Sequence, residues 1–316
     1  MMMPKKIAFT LCLLLITGSL FSQSNFEVAE TRTISSDKQY LIAPKWSPNG
    51  EYIAAAGENY GSIWLYTMNT EKWKKLVEEN GTGWDFDWSP DSRKIAFRAN
   101  IFKNRRKQTT IKYVDISTGT IQKLVEYNRN FSTPKWLTDD VIAFLHNDKY
   151  KTISVNRKAM TKLDSNVPQK NVCLFSSDGI YAKTTDQAVH ILEPLTGQTL
   201  HSTYSPDGTT IVFQKPGSKI FSYHEASETV KFITEGEMPG WSPDGKFIVY
   251  AKPKDDGYKF ISSDIFICDA NGKINQQLTQ TDDELEMRPY WSPDGKKIAC
   301  DSNGNVILIS LSNEVK

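Results

Sequence analysis

Trp291-Ser292-Pro293-Asp294-Gly295, followed by the apolar run Ile298-Ala299-Cys300, decides the fold, because variants of it recur along the chain. Trp241-Ser242-Pro243-Asp244-Gly245 repeats it in full, while Trp46-Ser47-Pro48-Asn49-Gly50, Trp88-Ser89-Pro90-Asp91-Ser92 and Tyr204-Ser205-Pro206-Asp207-Gly208 differ at one position each. Trp136-Leu137-Thr138-Asp139-Asp140 and Phe175-Ser176-Ser177-Asp178-Gly179 are degenerate copies. Proline presets φ near about −65° for a turn, the Asp or Asn side chain caps nearby N–H groups, and glycine accepts the left-handed conformation that closes it. The aromatic ahead of the turn is large enough to wedge between neighbouring units. A repeat of roughly 40 residues with four strand-like pieces per unit is the signature of a β-propeller.

The pieces after each turn read as strands in register with one another. Second strands begin at Tyr52, Ile95, Ile142, Ile180, Ile211, Ile248 and Ile298. Third strands, rich in β-branched and aromatic residues, are expected over 62–69, 110–117, 151–156, 188–193, 218–224, 264–269 and 306–312. Outer strands are expected over 73–78, 121–126, 160–164, 229–234 and 274–279. The last unit lacks an outer strand, and segment 28–35 precedes the first unit without a home, so pairing 28–35 with 306–312 closes the ring and removes an exposed edge. Seven four-stranded antiparallel blades are the preferred count, one of them thin because Phe175 and Tyr204 lie close together. Six blades, with 136–203 as one enlarged unit, is the alternative.

The 316 residues carry 38 basic and 37 acidic side chains, which argues against general nucleic-acid binding. Lys5-Lys6, the apolar run 7–21 and a small-residue exit near Ser22-Gln23 read as an export signal over 1–22, with 23–316 as a single propeller domain. A run of about 15 apolar residues is short for a membrane span, and the mature chain is expected to have no transmembrane segment. The mature chain keeps Cys173, Cys268 and Cys300, read as buried small hydrophobes, with a Cys268–Cys300 bridge as the rival.

Catalytic constellations are sparse. No Gly-x-Ser-x-Gly elbow occurs, against a fused serine peptidase, and His146, His190, His201 and His224 form neither His-x-His nor His-Glu-x-x-His, so no metal or other cofactor is expected. Trp84-Asp85-Phe86-Asp87-Trp88 is expected to place its two carboxylates on one strand face and its three aromatics on the other.

Because the repeated turn joins strands one and two at one face, the loops joining strands two to three and four to one gather at the opposite face. Segments 100–108 and 253–262 are longer than their equivalents and mix charge with aromatics. Loops on a rigid scaffold are where binding residues concentrate. On that face and at the channel mouth we place Tyr60, Trp84, Asp85, Arg98, Arg105, Arg106, Phe131, Asp148, Tyr258, Lys259 and Arg288 as the candidate binding surface, Arg and aromatics being the usual anchors of protein interfaces.

The repeated Trp-Ser-Pro-Asp-Gly with its following apolar strand resembles the TolB-like WSPDG-repeat propeller family, over nearly all of the mature chain. The resemblance covers only the propeller; the α/β domain that precedes it in TolB has no counterpart in this sequence. It implies an exported, monomeric, non-enzymatic scaffold in the periplasm of a Gram-negative bacterium, or secreted, that binds an envelope protein, as TolB binds a peptidoglycan-associated lipoprotein. The family also contains a pectin-fragment lyase, which implies the alternative of an acidic-glycan-binding or lyase-type propeller, although that enzyme's histidine-rich metal site has no matching His-x-His run here.

Overall fold

A computed structural model describes residues 26–36, 38–160, 172–175, 181–185, 188–191 and 199–313. The expected export signal and the turn after Phe175 lie outside the described residues. Each sheet is antiparallel, and its strands follow sequence order in every sheet except the last blade, whose outer place is taken by the first strand of the chain. Named by their motif aromatics, the four-stranded blades are the Trp46 blade (Leu41–Trp46, Tyr52–Gly57, Ser62–Thr67, Lys72–Glu78), the Trp88 blade (Asp87–Trp88, Lys94–Lys103, Arg106–Asp115, Ile121–Lys123) and the Trp136 blade (Lys135–Trp136, Val141–His146, Lys149–Ser154, Ala159–Met160). Beyond them come the Tyr204 blade (Leu200–Tyr204, Thr210–Lys215, Lys219–His224, Thr229–Glu235) and the Trp241 blade (Glu237–Trp241, Phe247–Asp255, Phe260–Asp269, Asn275–Gln277). The Trp291 blade (Glu286–Trp291, Lys297–Ser302, Asn305–Asn313) takes Phe26–Thr33 as its fourth strand.

The preferred count of seven four-stranded blades is therefore corrected: six are complete among the described residues. Between the Trp136 and Tyr204 blades lies a smaller sheet of three strands, Leu174–Phe175, Tyr181–Thr185 and Ala188–Ile191. The physical reason is the short spacing ahead of Tyr204: Leu200–Tyr204 is committed to the next inner strand.

The repeated turn builds itself. In the copies at Ser47, Ser89, Ser205, Ser242 and Ser292 the motif serine hydroxyl donates to the Asn or Asp two residues on and accepts the backbone N–H five residues on. The closing residue has φ of +71 to +74° at Gly50, Gly208, Gly245 and Gly295, and Ser92 takes the same left-handed place with φ +62°. A Cβ on Gly50 would lie 3.8 Å from Pro293, one on Gly245 3.5 Å from Pro206, and one on Gly295 4.0 Å from Pro243, so each turn packs on its predecessor and the last meets the first.

The core is distributed as slabs between blades. Trp88 packs with Ala54, Ile63 and Leu65 of the preceding blade, Trp136 with Ala96 and Ile111, Trp291 with Val249 and Ile265, and Trp46 with Ala299 and Leu308. Trp88 and Trp241 also donate their indole N–H to carbonyls of the preceding inner strand, at Lys45 and Thr203, each at 3.2 Å. The indole nitrogens of Trp46, Trp136 and Trp291 have no hydrogen-bond partner among the described residues, so the wedge works chiefly by packing. Cys173, Cys268 and Cys300 are buried free thiols, which sets aside the Cys268–Cys300 bridge.

Closure follows the expected pairing. Phe26–Thr33 runs antiparallel to Asn305–Asn313, with an irregularity between Val28 and Glu30. Phe26 is pinned by Gln276 of the Trp241 blade, whose side chain accepts the Phe26 N–H at 3.0 Å and donates to its carbonyl, and its ring meets Phe247 edge-on at 4.9 Å. Removing residues 26–35 should strip the last blade of its outer strand and expose a paired edge. We expect the melting temperature to fall by about 10 °C or more, from lost burial and cross-strand pairing, with concentration-dependent association by light scattering. An unchanged melting temperature would contradict this closure.

Candidate binding site at the channel mouth

The inner strands carry a second repeat, three residues ahead of the motif aromatic. Ala43, Asp85, His201, Met238 and Arg288 all occupy this place, and all have left-handed φ between +48 and +55°. In the Trp46, Tyr204, Trp241 and Trp291 blades the strand register shifts at the same point. Such a bulge bends a strand and re-aims its side chains, here around the channel. It also corrects the expected alternation over 84–88. Regular strand covers only Asp87–Trp88, and the left-handed turn at Asp85 leaves Trp84 half exposed while Phe86 and Trp88 are buried.

Polar side chains latch neighbouring blades at two of these bulges and at the equivalent end of the Trp136 blade. Asp301 accepts the Ala43 N–H at 2.9 Å, Gln214 accepts the Met238 N–H at 3.0 Å, and Arg98 Nη1 donates to the Phe131 carbonyl at 3.0 Å. Asp301, Gln214 and Arg98 stand at the same position of their second strands, three residues after the leading isoleucine. Arg288 grips Asp301 through both Nε and Nη2. Two members of the expected binding set, Arg98 and Arg288, are thus engaged internally.

At the axis, Lys45 Nζ donates to Asp85 Oδ1 at 2.7 Å and to the Phe86 carbonyl at 2.9 Å, while Lys135 Nζ reaches both Asp85 oxygens at 3.2 Å. Asp87 accepts the Trp136 N–H at 2.8 Å. Burial alone would push the Asp85 carboxyl up, but the ammonium groups of Lys135 and Lys45 overcome it and hold it well below the usual carboxylate range. Burial likewise works against Lys135, and Asp85 and Asp87 raise it well above an ordinary lysine. Desolvation lowers Arg98 despite the pull of Asp85. His201, open to channel water yet ringed by protein, is held below the usual imidazole value by desolvation, with Arg288 and Lys45 adding to the effect against Asp85. Groups from five different inner strands can influence one another in this way only by converging on the channel.

Around this polar centre stands an aromatic rim. Trp84 meets Tyr60 edge-on at 4.9 Å, and Tyr40 and Tyr290 are also exposed. Two long hairpins project from the same face. One carries exposed Phe102 with Arg105 and Arg106 at its turn; the other carries Asp255, Asp256, Lys259 and Tyr258, which is 98% exposed. Asp148 is exposed in the turn between Val141–His146 and Lys149–Ser154. Phe131 is buried, stacked on His146 at 4.4 Å and packed on Phe144, so it supports the face from beneath. Sequence reasoning overlooked Lys45, Lys135, His201, Tyr40 and Tyr290. Lys45, Lys135 and Tyr290 each stand directly before a motif tryptophan, a signal that was available in the repeat.

No protein-family model matches the chain. A curated Tol-Pal system protein TolB of Francisella tularensis subsp. mediasiatica is 25% identical over 263 residues, covering 80% of this chain and 54% of that protein. Dipeptidyl-peptidase 5 of Porphyromonas gingivalis is 25% identical over 301 residues, covering 89% of this chain and 40% of that protein. The chain thus spans about half the length, or less, of these relatives. Among solved structures, a putative TolB from Agrobacterium tumefaciens superposes with a TM-score of 0.55 at 16% identity, covering 90% of this chain and 96% of that one. Sequence and fold together make this chain a TolB-like β-propeller. No helix among the described residues is long and apolar enough to cross a membrane.

Two carboxyls near the mouth give opposite pH signatures. Glu286 is pushed up to about 7 by burial, with Asp264 and Glu284 adding to it against a hydrogen bond from Thr279. A raised carboxyl contributes stability that is fully present below its ordinary value and lost as pH rises through the folded one. The melting temperature of wild type should therefore fall between pH 5 and 8 relative to that of Glu286→Gln. Asp85, held low, contributes stability that is present above the ordinary carboxylate value and lost as pH falls. Asp85→Asn should cost about 1 kcal/mol at neutral pH, a figure kept small by the partial exposure of its ion pairs, and the gap should close below about pH 4. Parallel melting curves across this range for either variant would contradict the assignment.

Proposed function

We propose that the chain is an exported, non-enzymatic envelope scaffold that binds a partner protein over its loop-rich face, working as a monomer in the periplasm or outside the cell. The observation that carries this reading is the exposed aromatic rim, with Tyr40 53%, Trp84 52%, Phe102 71% and Tyr258 98% exposed on one face of a scaffold of interlocked blades. Large aromatics standing in solvent on a rigid support lose little conformational freedom when covered, so such residues dominate protein interfaces. The likeness to TolB, which its printed name places in the Tol-Pal system, supports an envelope protein as the partner. The chain's leader-like start, read from sequence, supports export.

Within this reading Trp84, Tyr258, Arg105 and Arg106 are direct anchors, joined by Tyr40 and Phe102. Tyr60, Lys259 and Asp148 border them. Arg288, Arg98 and Phe131 hold the mouth in shape, because each is engaged by Asp301, by a backbone carbonyl or by neighbouring rings. The purified peptidoglycan-associated lipoprotein of the source organism is the first partner to try in a pull-down. Alanine at Trp84, Tyr258 and Phe102 together should reduce capture at least tenfold, as expected for lost interface anchors, while shifting the melting temperature by less than about 2 °C. Undiminished capture by the triple variant would remove the rim from the interface.

A further inference from the structure

The centre of the channel mouth carries a charge imbalance that the fold does not resolve. Lys45, Lys135 and Arg98 face Asp85 and Asp87, and the neighbouring Arg288 is already neutralised by Asp301. Among the described residues one positive charge remains in excess. Asp87 has an oxygen committed to the Trp136 N–H, so Asp85 alone bridges the two lysines. His201 adds no compensating negative charge and is itself held in its neutral form by desolvation and the nearby cations.

Asp85 is also poorly placed as a permanent structural carboxylate. Its side chain is 36% exposed although it joins two ammonium groups, so it can be reached and displaced from the mouth. The side chains of Lys45 and Lys135 are 21% and 19% exposed, so both are reachable from the mouth. Lys45 is steadied by the Phe86 carbonyl, and Lys135 by the charge of Asp87, so both ammonium groups would stay in position without Asp85. The pair resembles a preformed anion grip closed by a carboxylate from the protein itself.

We propose that this grip takes a side-chain carboxylate of an extended acidic peptide segment of the partner, which displaces Asp85 from Lys45 and Lys135 with Arg98 completing the positive wall. The inference rests on the loop-face binding reading and specifies what enters the mouth. A peptide is the occupant because the loop-face reading calls for a protein partner and the grip offers two adjacent ammonium groups for one carboxylate, beneath exposed aliphatic as well as aromatic side chains such as Ile261 and Phe102; an acidic sugar is the alternative outcome of the test. Charge-assisted contacts of this kind, desolvated beneath an apolar rim, are strong and direction-setting.

The test is calorimetric titration of the purified full chain at low salt with acetyl-Gly-Asp-Gly-Asp-Gly-amide, its asparagine counterpart and trigalacturonate. The acidic peptide should bind with one-to-one stoichiometry and the asparagine peptide should not. Lys45→Met and Lys135→Met should each weaken binding at least tenfold, whereas Asp85→Asn should tighten it by about tenfold, since the competing internal carboxylate is gone. A merely structural role for Asp85 predicts the reverse, so this variant decides the matter even if a lysine variant folds poorly. Absence of peptide binding, weaker or unchanged binding by Asp85→Asn, or tighter binding of trigalacturonate than of the peptide would each overturn the proposal. Because the probe is a short peptide on isolated protein, its failure would leave lipoprotein capture by the rim standing, and failure of that capture would leave this titration unaffected.

Discussion

Packing of a motif aromatic against the preceding blade is the constraint on which the rest of the structure depends. A single four-stranded blade is too small to bury its own apolar faces, and the buried side chains gather between blades, as with Trp88 against Ala54, Ile63 and Leu65. The same contact at Trp46 against Ala299 and Leu308 joins the first blade to the last, so the ring closes by the rule that builds it. The strand at 26–33 completes this closure by antiparallel pairing with 305–313 at the other end of the chain, and Gln276 fixes its first residue to a second blade. Stability is therefore a collective property of the ring, and loss of one wedge weakens two blades at once.

That packing frees the inner strands to depart from regular geometry. The left-handed residue three places ahead of the motif aromatic recurs in five blades, and its cost is spread over a scaffold held elsewhere by Ser-Asp turns and interblade slabs. At Ala43 and Met238 the bulged N–H is taken up by Asp301 and Gln214 from the blade before. At Asp85, His201 and Arg288 the same backbone place carries an ionisable side chain near the axis. Structural latches and candidate ligand contacts are thus alternative uses of one position in the repeat.

The electrostatics of the mouth follow from this arrangement. Side chains that are distant in sequence, such as Lys45, Asp85, Lys135 and Arg288, come together because each inner strand contributes its end to a common channel. In such partly desolvated surroundings charges act on one another more strongly than on an open surface, which is why Asp85 stays ionised and His201 stays neutral. The apolar rim above them adds area for a partner. A ligand with a negative group and an apolar flank would meet both features together.

The amino-acid sequence alone determined the blade, the order of strands, the face carrying the long loops and the closing strand, because each depends on local chemistry repeated many times: a proline and a left-handed glycine for the turn, a continuous apolar run for the strand, an aromatic for the wedge. It was less reliable where one copy is degenerate: the segment before Tyr204, expected as a thin seventh blade, shows a three-stranded sheet among the described residues, and six blades rather than seven are complete. Tertiary structure alone decided the site. Trp84 and Tyr258 stand out as sequence reading expected, but Phe131 is buried and Arg98 and Arg288 are spoken for by partners far along the chain. Lys45 and Lys135 look like ordinary surface lysines until the ring brings them to either side of Asp85, because convergence at an axis is a property of closure and leaves no trace in any single repeat.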